Sequence, residues 1–200
     1  MRNHKVEKAE KDFGDGRSLF HLKLMLFLPV MVYLSLSDQG KKVIVEEVQM
    51  RFVIQCVDNA EVEIEKNVVG KIGKGYLVLA GISETDTRNT ADRMIEKMLK
   101  LRIFEDENGK TNLNLAAVGG EILLVSQFTL YADCHKGNRP SFIKAGSPQH
   151  AEELYNYLID KCEQLTGKKP QTGEFGALMK VRLTNNGPFT MLMDSEELGY

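Results

Sequence analysis

The hydrophobic pattern from residue 50 onward predicts β-strands separated by short turns. Segments rich in Val, Ile and Phe lie at 50–57 and 61–65, and contiguous apolar segments typical of buried strands lie at 76–82 and 121–125. The Asp58-Asn59 pair has the composition of a tight turn. We therefore expect the first two segments to pair as a hairpin around it.

Two segments change to the helical period and carry capping residues. The first follows Thr85 to Thr87, which offer capping side chains, and its apolar stripe comprises Ala91, Met94, Ile95 and Met98. The second has Ser147 as N-cap, Pro148 at the first helical position and Gly167 at its end. Its predicted buried face comprises Ala151, Leu154, Leu158, Cys162 and Leu165.

The order of these elements defines a fold class. Groups of strands interrupted by only two helices do not match the strand-helix alternation of a doubly wound fold. The sequence therefore predicts a single α+β domain over residues 50–200, with a largely antiparallel, barrel-like β-sheet and two main helices.

Residues 1–49 have a different pattern. The uncharged run Leu24 to Ser37 follows a charged stretch, as in a signal peptide, but acidic residues lie among the basic ones and Pro29 interrupts the run. Fourteen residues are also fewer than the roughly 20 that a spanning helix needs. We interpret residues 1–49 as an N-terminal extension, disordered or not native, ahead of a working chain that starts at Met50. Export or membrane association is the alternative.

Composition narrows the functional classes. The chain has 26 Lys and Arg against 28 Asp and Glu, a net charge of −2, so any RNA contact must be local. Its three cysteines are far apart and form no C-x-x-C pair, which indicates neither a disulfide framework nor a zinc ribbon. This usage favours a reducing, cytoplasmic location.

The first candidate site lies where the strand at 121–125 ends in polar residues. Ser126 or Thr129 could act as a nucleophile, or backbone N–H groups around Gln127 and Phe128 could form an oxyanion hole for ester chemistry. Ser and Thr satisfying backbone groups at a strand end is the structural alternative.

A hydroxyl or thiol nucleophile would need a base. His135 and His150 are the histidines after Met50, and neither has an orienting acid nearby in sequence, so a Ser-His-Asp triad has weak support. A Cys134-His135 dyad is disfavoured because adjacent residues of an extended chain point in opposite directions.

Two loops are further candidates. Gly187-Pro188 can form a rigid turn that presents backbone carbonyls, since Gly tolerates positive φ and X-Pro bonds can be cis. Residues 135–140 form a compact basic loop that could hold a phosphate, or could be solvated surface.

Six segments together resemble one family, the D-aminoacyl-tRNA deacylases. They are MRFVIQCV at 50–57, LRIFEDENGK at 101–110, VSQFTL at 125–130, KGNRPSF at 136–142, QTGEFGALM at 171–179 and NNGPFT at 185–190. The resemblance covers nearly all of residues 50–193, and residues 1–49 have no counterpart in it. It implies a homodimeric hydrolase that removes D-amino acids, and also glycine, from the terminal adenosine of tRNA, without metal or other cofactor and without a membrane.

The resemblance also implies roles for individual residues. Gly187 and Pro188 would form a cis peptide that reaches into the partner subunit's site and excludes L side chains sterically. The ester would bind at the strand end and the terminal adenine in an apolar pocket, so the implied site comprises Ser126, Gln127, Phe128 and Thr129 as catalytic residues and Gly187, Pro188, Thr190, Phe175 and Met179 as substrate-binding residues. Because Thr129 has no evident base, we favour assistance by the tRNA's own 2′-hydroxyl.

Two positions depart from the family pattern. Cys56 stands where the family usually has Arg after Gln, and Asn186 stands where Asp is usual. If that arginine holds the Gly-Pro loop, its absence bears on the rejection of L substrates. A non-enzymatic RNA-binding module would keep Lys136 and Arg139 but would need neither the SQFT segment nor the Gly-Pro loop.

Overall fold

The computed structural model describes residues 34–36, 42–44 and 49–200. The chain divides into two units, 1–46 and 47–200, and each is described by itself. In the first unit, strands β1 (Leu34–Leu36) and β2 (Lys42–Ile44) form an antiparallel pair. The other predictions made for residues 1–48 lie outside the described residues.

The second unit contains both predicted helices and the main sheet. Its elements are β3 (Arg51–Ile64), β4 (Asn67–Ile72), β5 (Gly75–Gly81), α1 (Arg88–Lys100), β6 (Phe104–Glu105), β7 (Thr111–Leu113), β8 (Glu121–Ser126), a 3-10 helix (Phe128–Tyr131), α2 (Pro148–Thr166), β9 (Gln171–Thr172) and β10 (Lys180–Asp194). Strands β6 and β7 form a small separate pair. No helix in the described part of the chain is long and apolar enough to cross a bilayer.

The main sheet has the order β10-β3-β5-β8-β9, and β4 also pairs with β3. Strand β3 is antiparallel to β10, β4 and β5, whereas β8 is parallel to both β5 and β9. The chain passes through α1 between β5 and β8, and through α2 between β8 and β9, and such helical crossovers return it in the same direction. The predicted α+β class is confirmed, but the sheet is mixed.

A close approach of β4 to β9 makes the sheet barrel-like. A Cβ atom at Gly70 on β4 would lie 2.4 Å from the carbonyl oxygen of Thr172 on β9, so only glycine allows the two strands to come this close. The barrel-like shape expected from the sequence is confirmed.

The hairpin between β3 and β4 turns at Glu65-Lys66, so the prediction of a turn at Asp58-Asn59 was wrong. Strand β3 continues through those residues to Ile64, and the φ angles of Glu65 and Lys66 are +49° and +70°. Two residues with positive φ suit a tight two-residue hairpin. The Asp58 and Asn59 side chains bond to β10 instead of closing a local turn.

The two faces of the sheet bury separate cores. Both helices cover one face, where the strand residues include Phe52, Ile54, Tyr76, Val78, Ile122 and Leu124. The other face encloses a smaller core of Val57, Ala60, Val62, Ile72, Leu77, Leu123 and Val125. The strands that lead into the candidate site are therefore anchored on both faces.

The helix caps agree largely with the sequence prediction. The Thr87 hydroxyl accepts a hydrogen bond from the Thr90 N–H, and Gly167 ends α2 with φ of +71°. The predicted buried residues are buried except Leu165, which is 44% exposed because the last turn of α2, residues 163–166, extends past the core. Ser147 makes no side-chain cap and bonds to Glu84.

Candidate active site

The end of β8 forms a partly exposed corner that contains four candidate residues, 126–129. The Gln127 N–H donates to the Ala80 carbonyl at 2.7 Å, and the chain then turns into the 3-10 helix. The N–H groups of Phe128 and Thr129 begin this helix and have no acceptor within it. The ring of Phe128 is 57% exposed, so this corner faces solvent. Because the Gln127 N–H is engaged, the Phe128 and Thr129 N–H groups are the donors left for a ligand.

The Thr129 hydroxyl has a hydrogen-bond partner, but no base contacts it from the described second unit. The Gln127 carboxamide donates a hydrogen bond to Thr129 Oγ1. The His135 N–H donates to the Asp133 carboxylate, and His150 Nε2 lies 3.1 Å from the Asp86 carbonyl oxygen. Within residues 49–200, neither imidazole bonds to Ser126 or Thr129. The arrangement supports binding of an ester oxygen by N–H groups more than attack by a side-chain hydroxyl.

The cysteines do not form a nucleophilic site. Burial raises the thiol pKa of Cys56 to about 11 and that of Cys162 to about 12, so both are protonated at neutral pH. Cys134 is exposed, and no hydrogen bond in the described second unit joins it to His135. The Cys56 thiol lies in the core under the helices, 3.8 Å from the Ile103 carbonyl oxygen.

Arg51 braces the strand-end corner, a role that sequence reasoning missed. Its Nε donates to Asp194 at 2.7 Å, and its Nη1 donates to the Leu130 carbonyl at 3.1 Å. The guanidinium also lies 5.4 Å from the centre of the Tyr131 ring. It therefore ties the 3-10 helix to the first residue of β3 and the last of β10. No local pattern marks it, because its partners lie 79 and 143 residues away in sequence.

The Gly187-Pro188 loop is an exposed irregularity in β10. The peptide bond between the two residues is cis, and Gly187 has a φ of +115°. Pairing with β3 breaks between Asn185 and Thr190, and the Gln55 and Asn185 side-chain amides both donate to Thr190 Oγ1. Thr190 thus braces the base of the loop.

The strand register separates this loop from the β8 corner. Thr190 lies opposite Gln55 of β3, and successive pairings lead through Leu77 to Leu123 of β8. Ser126 lies three residues beyond Leu123. Three strand spacings and three residues of rise amount to roughly 17 Å between Thr190 and Ser126 along the sheet. Two strands, β3 and β5, therefore lie between the Gly-Pro loop and the β8 corner of the same chain.

The two predicted adenine-pocket residues lie on the segment between β9 and β10. The ring of Phe175 packs against Tyr155 of α2, with centroids 5.9 Å apart, and contributes to the core under the helices. Met179 packs against the smaller core instead, and its sulfur occupies the space that a Cβ at Gly173 would need. Both side chains are half-buried.

Comparisons with known proteins show which family the chain resembles. The family model for D-Tyr-tRNA(Tyr) deacylase matches residues 53–194. A D-aminoacyl-tRNA deacylase of Thermosipho melanesiensis is 48% identical over 149 residues, which cover 74% of this chain and 99% of the relative. One of Clostridium kluyveri is 50% identical over 149 residues, with the same coverage.

Solved structures share the fold. A structure described as c-Myc DNA Unwinding Element Binding Protein has a TM-score of 0.67 and 37% identity, covering 72% of this chain and 97% of its own. A probable eukaryotic D-amino acid tRNA deacylase, at 17% identity, has a TM-score of 0.66, covers 72% of this chain and 98% of its own, and shows the same fold. The chain belongs to the D-Tyr-tRNA(Tyr) deacylase family, and it is a hydrolase of D-aminoacyl-tRNA.

Proposed function

We propose that this chain performs D-aminoacyl-tRNA hydrolysis in a site shared between two subunits. One subunit supplies the β8 corner, residues 126–129, and the partner supplies the Gly187-Pro188 loop. The single observation that carries the proposal is the strand register, which places β3 and β5 between Thr190 on β10 and Ser126 on β8, a separation of roughly 17 Å along the sheet. This separation supports a site whose two segments come from different subunits.

The β8 corner binds the ester carbonyl in this proposal. The Phe128 and Thr129 N–H groups stabilise the negative charge that develops on the carbonyl oxygen when water attacks. Water adds across the ester, so the products are the free amino acid and tRNA. Because no histidine within residues 49–200 bonds to Thr129, the terminal 2′-hydroxyl of the tRNA assists water in this proposal. Replacing the terminal adenosine by 2′-deoxyadenosine should then slow the reaction even when Thr129 is intact.

The Gly187-Pro188 loop provides chiral selection in the proposal. Its carbonyls lie against the α-carbon of the substrate and leave no room for an L side chain. This is selection by exclusion and needs no pocket for a particular side chain. The loop would therefore accept glycyl esters in addition to esters of D-amino acids.

Further residues contact the tRNA in the same proposal. Phe175 and Met179 contact the terminal adenine, and the exposed Lys136 and Arg139 lie near tRNA phosphates. A tRNA substrate favours a cytoplasmic location. Residues 50–200 form the deacylase domain, and residues 1–49 are an extension.

The first experiment compares hydrolysis of D-Tyr-tRNA and L-Tyr-tRNA by the wild-type chain and two variants of Phe128. Phe128→Pro removes one proposed N–H donor, and the backbone of Gln127 (φ −147°, ψ 80°) lies outside the α region that a following proline disfavours. Phe128→Ala removes the ring but keeps the N–H, so it is the matched control. We expect Phe128→Pro to lose about 100-fold or more in kcat and Phe128→Ala to lose far less. No turnover of either ester by folded wild-type dimer would favour the binding-module alternative.

A subunit-mixing experiment tests the shared site. Phe128→Pro chains are expected to be inactive alone and Pro188→Ala chains to be unselective alone, because each substitution damages a different half of the site. If the site is shared, random mixing restores selective hydrolysis in about a quarter of the sites, because half of the dimers are mixed and each mixed dimer contains one intact site. If both segments act within one chain, mixing restores no selective hydrolysis.

A further inference from the structure

One segment of β10 lacks a backbone partner on β3. Pairing with β3 breaks after Asn185 and resumes at Thr190, which leaves residues 186–189 unpaired. At the ends of this segment, Asn185 Oδ1 accepts a hydrogen bond from the Phe189 N–H at 3.3 Å, and Asn185 Nδ2 donates to Thr190 Oγ1 at 3.0 Å. Those bonds close the base of the loop on itself. They do not determine where its tip lies relative to β3.

A contact from Asp58 supplies that constraint. Asn186 Nδ2 donates to Asp58 Oδ1 at 2.6 Å, and no other side-chain hydrogen bond in the described second unit joins β3 to residues 186–189. Asp58 and Asn59 are consecutive exposed residues, so strand alternation breaks here and both side chains can reach β10. No ion pair among the described residues includes the Asp58 carboxylate. It is therefore available to the amide.

We propose that Asp58 is a positioning residue whose carboxylate holds Asn186 and so sets the place of the Gly187-Pro188 carbonyls. This inference rests on the proposed function, because it assigns to Asp58 the task of maintaining discrimination between D and L esters. A hydrogen bond between exposed side chains contributes little to folding, so its loss acts on selectivity and not on the stability of the chain. A reaction that depends on steric exclusion is sensitive to displacements of about 1 Å.

The test exploits the direction of the hydrogen bond. Asn186→Asp places two carboxylates against each other and pushes the loop away from β3. The double variant Asp58→Asn/Asn186→Asp restores one carboxylate and one carboxamide with donor and acceptor exchanged. We expect the ratio of kcat/KM for D-Tyr-tRNA over L-Tyr-tRNA to fall about tenfold or more in Asn186→Asp and to recover in the double variant.

The matched control is Asn59→Ala. Asn59 is the next residue of β3 and makes a similar exposed bond, 3.2 Å to Thr184 Oγ1, on the paired side of the break. We expect its selectivity ratio and melting temperature to equal those of wild type, and the melting temperatures of both Asn186 variants to change little. An unchanged ratio in Asn186→Asp, a double variant that fails to recover, or an equal loss in Asn59→Ala would overturn the positioning role.

The wild-type measurement separates the two hypotheses. If wild type does not hydrolyse D-Tyr-tRNA, the proposed function itself fails. If wild type discriminates and Asn186→Asp discriminates equally well, the proposed function stands and only the role of Asp58 fails.

Discussion

Arg51 and Arg182 allow a direct comparison of a shielded and an exposed ion pair. Among residues 49–200, Arg51 makes one ion pair, with Asp194 at 2.7 Å, and the Asp194 side chain is only 9% exposed. In the same part of the chain Arg182 makes two, with Glu61 at 3.4 Å and Glu63 at 2.7 Å, but its own side chain is 54% exposed. If the number of ion pairs determined stability, Arg182 would stabilise the fold more than Arg51. If burial of the pair determined stability, Arg51 would stabilise it more.

We predict that Arg51→Met destabilises the protein far more than Arg182→Met. The first substitution removes a charge-assisted hydrogen bond, leaves a nearly buried carboxylate with less compensation, and frees the Leu130 carbonyl, a loss of about 2–4 kcal/mol. Water and salt already screen the pairs of Arg182, so its replacement should have a small effect.

Urea unfolding of both variants, at low salt and at roughly 0.5 M NaCl, measures this difference. The decrease in the free energy of unfolding of Arg51→Met should persist at high salt, while any decrease in Arg182→Met should become smaller. Equal losses in the two variants, or a larger loss in Arg182→Met, would refute the argument that burial decides the strength of these pairs.

Three further predictions concern the core, a buried carboxyl and a strand contact. Leu158→Ala removes a fully buried side chain and should cost about 2–5 kcal/mol in urea unfolding, whereas Leu165→Ala, at a position 44% exposed, should cost far less. Burial raises the pKa of the Asp86 carboxyl to about 6, so folding is more favourable when this group is protonated. As pH falls from about 7 to about 4, the free energy of unfolding of wild type should therefore rise by up to about 3 kcal/mol relative to that of Asp86→Asn. A difference between the two proteins that stays constant with pH would contradict this. Gly75→Ala should fail to give folded protein by circular dichroism, because its Cβ would lie 1.9 Å from the Glu121 carbonyl oxygen, and a native-like melting curve would show that the strands can separate there.

Local features were predictable where a short segment contains its own physical reason. Thr87 caps α1 through a bond to a residue three positions away, and Pro148 and Gly167 mark the ends of α2 by their backbone preferences. The hairpin prediction failed at Asp58 because the same side chain that closes a turn locally can also bond across strands. Asp58 bonds across strands because Asn186 of β10, 128 residues further along the chain, lies beside it in the folded structure.

By itself, the sequence determined the α+β class, both helices, the main strands and the segments that carry the family resemblance, because periodicity and caps act over a few residues. Tertiary structure alone decided the parallel pairings of β8, the Arg51 brace and the distance between Ser126 and the Gly187-Pro188 loop. Those features depend on which distant segments meet, and that is decided by packing of the whole sheet against its helices, not by the chemistry of any one segment.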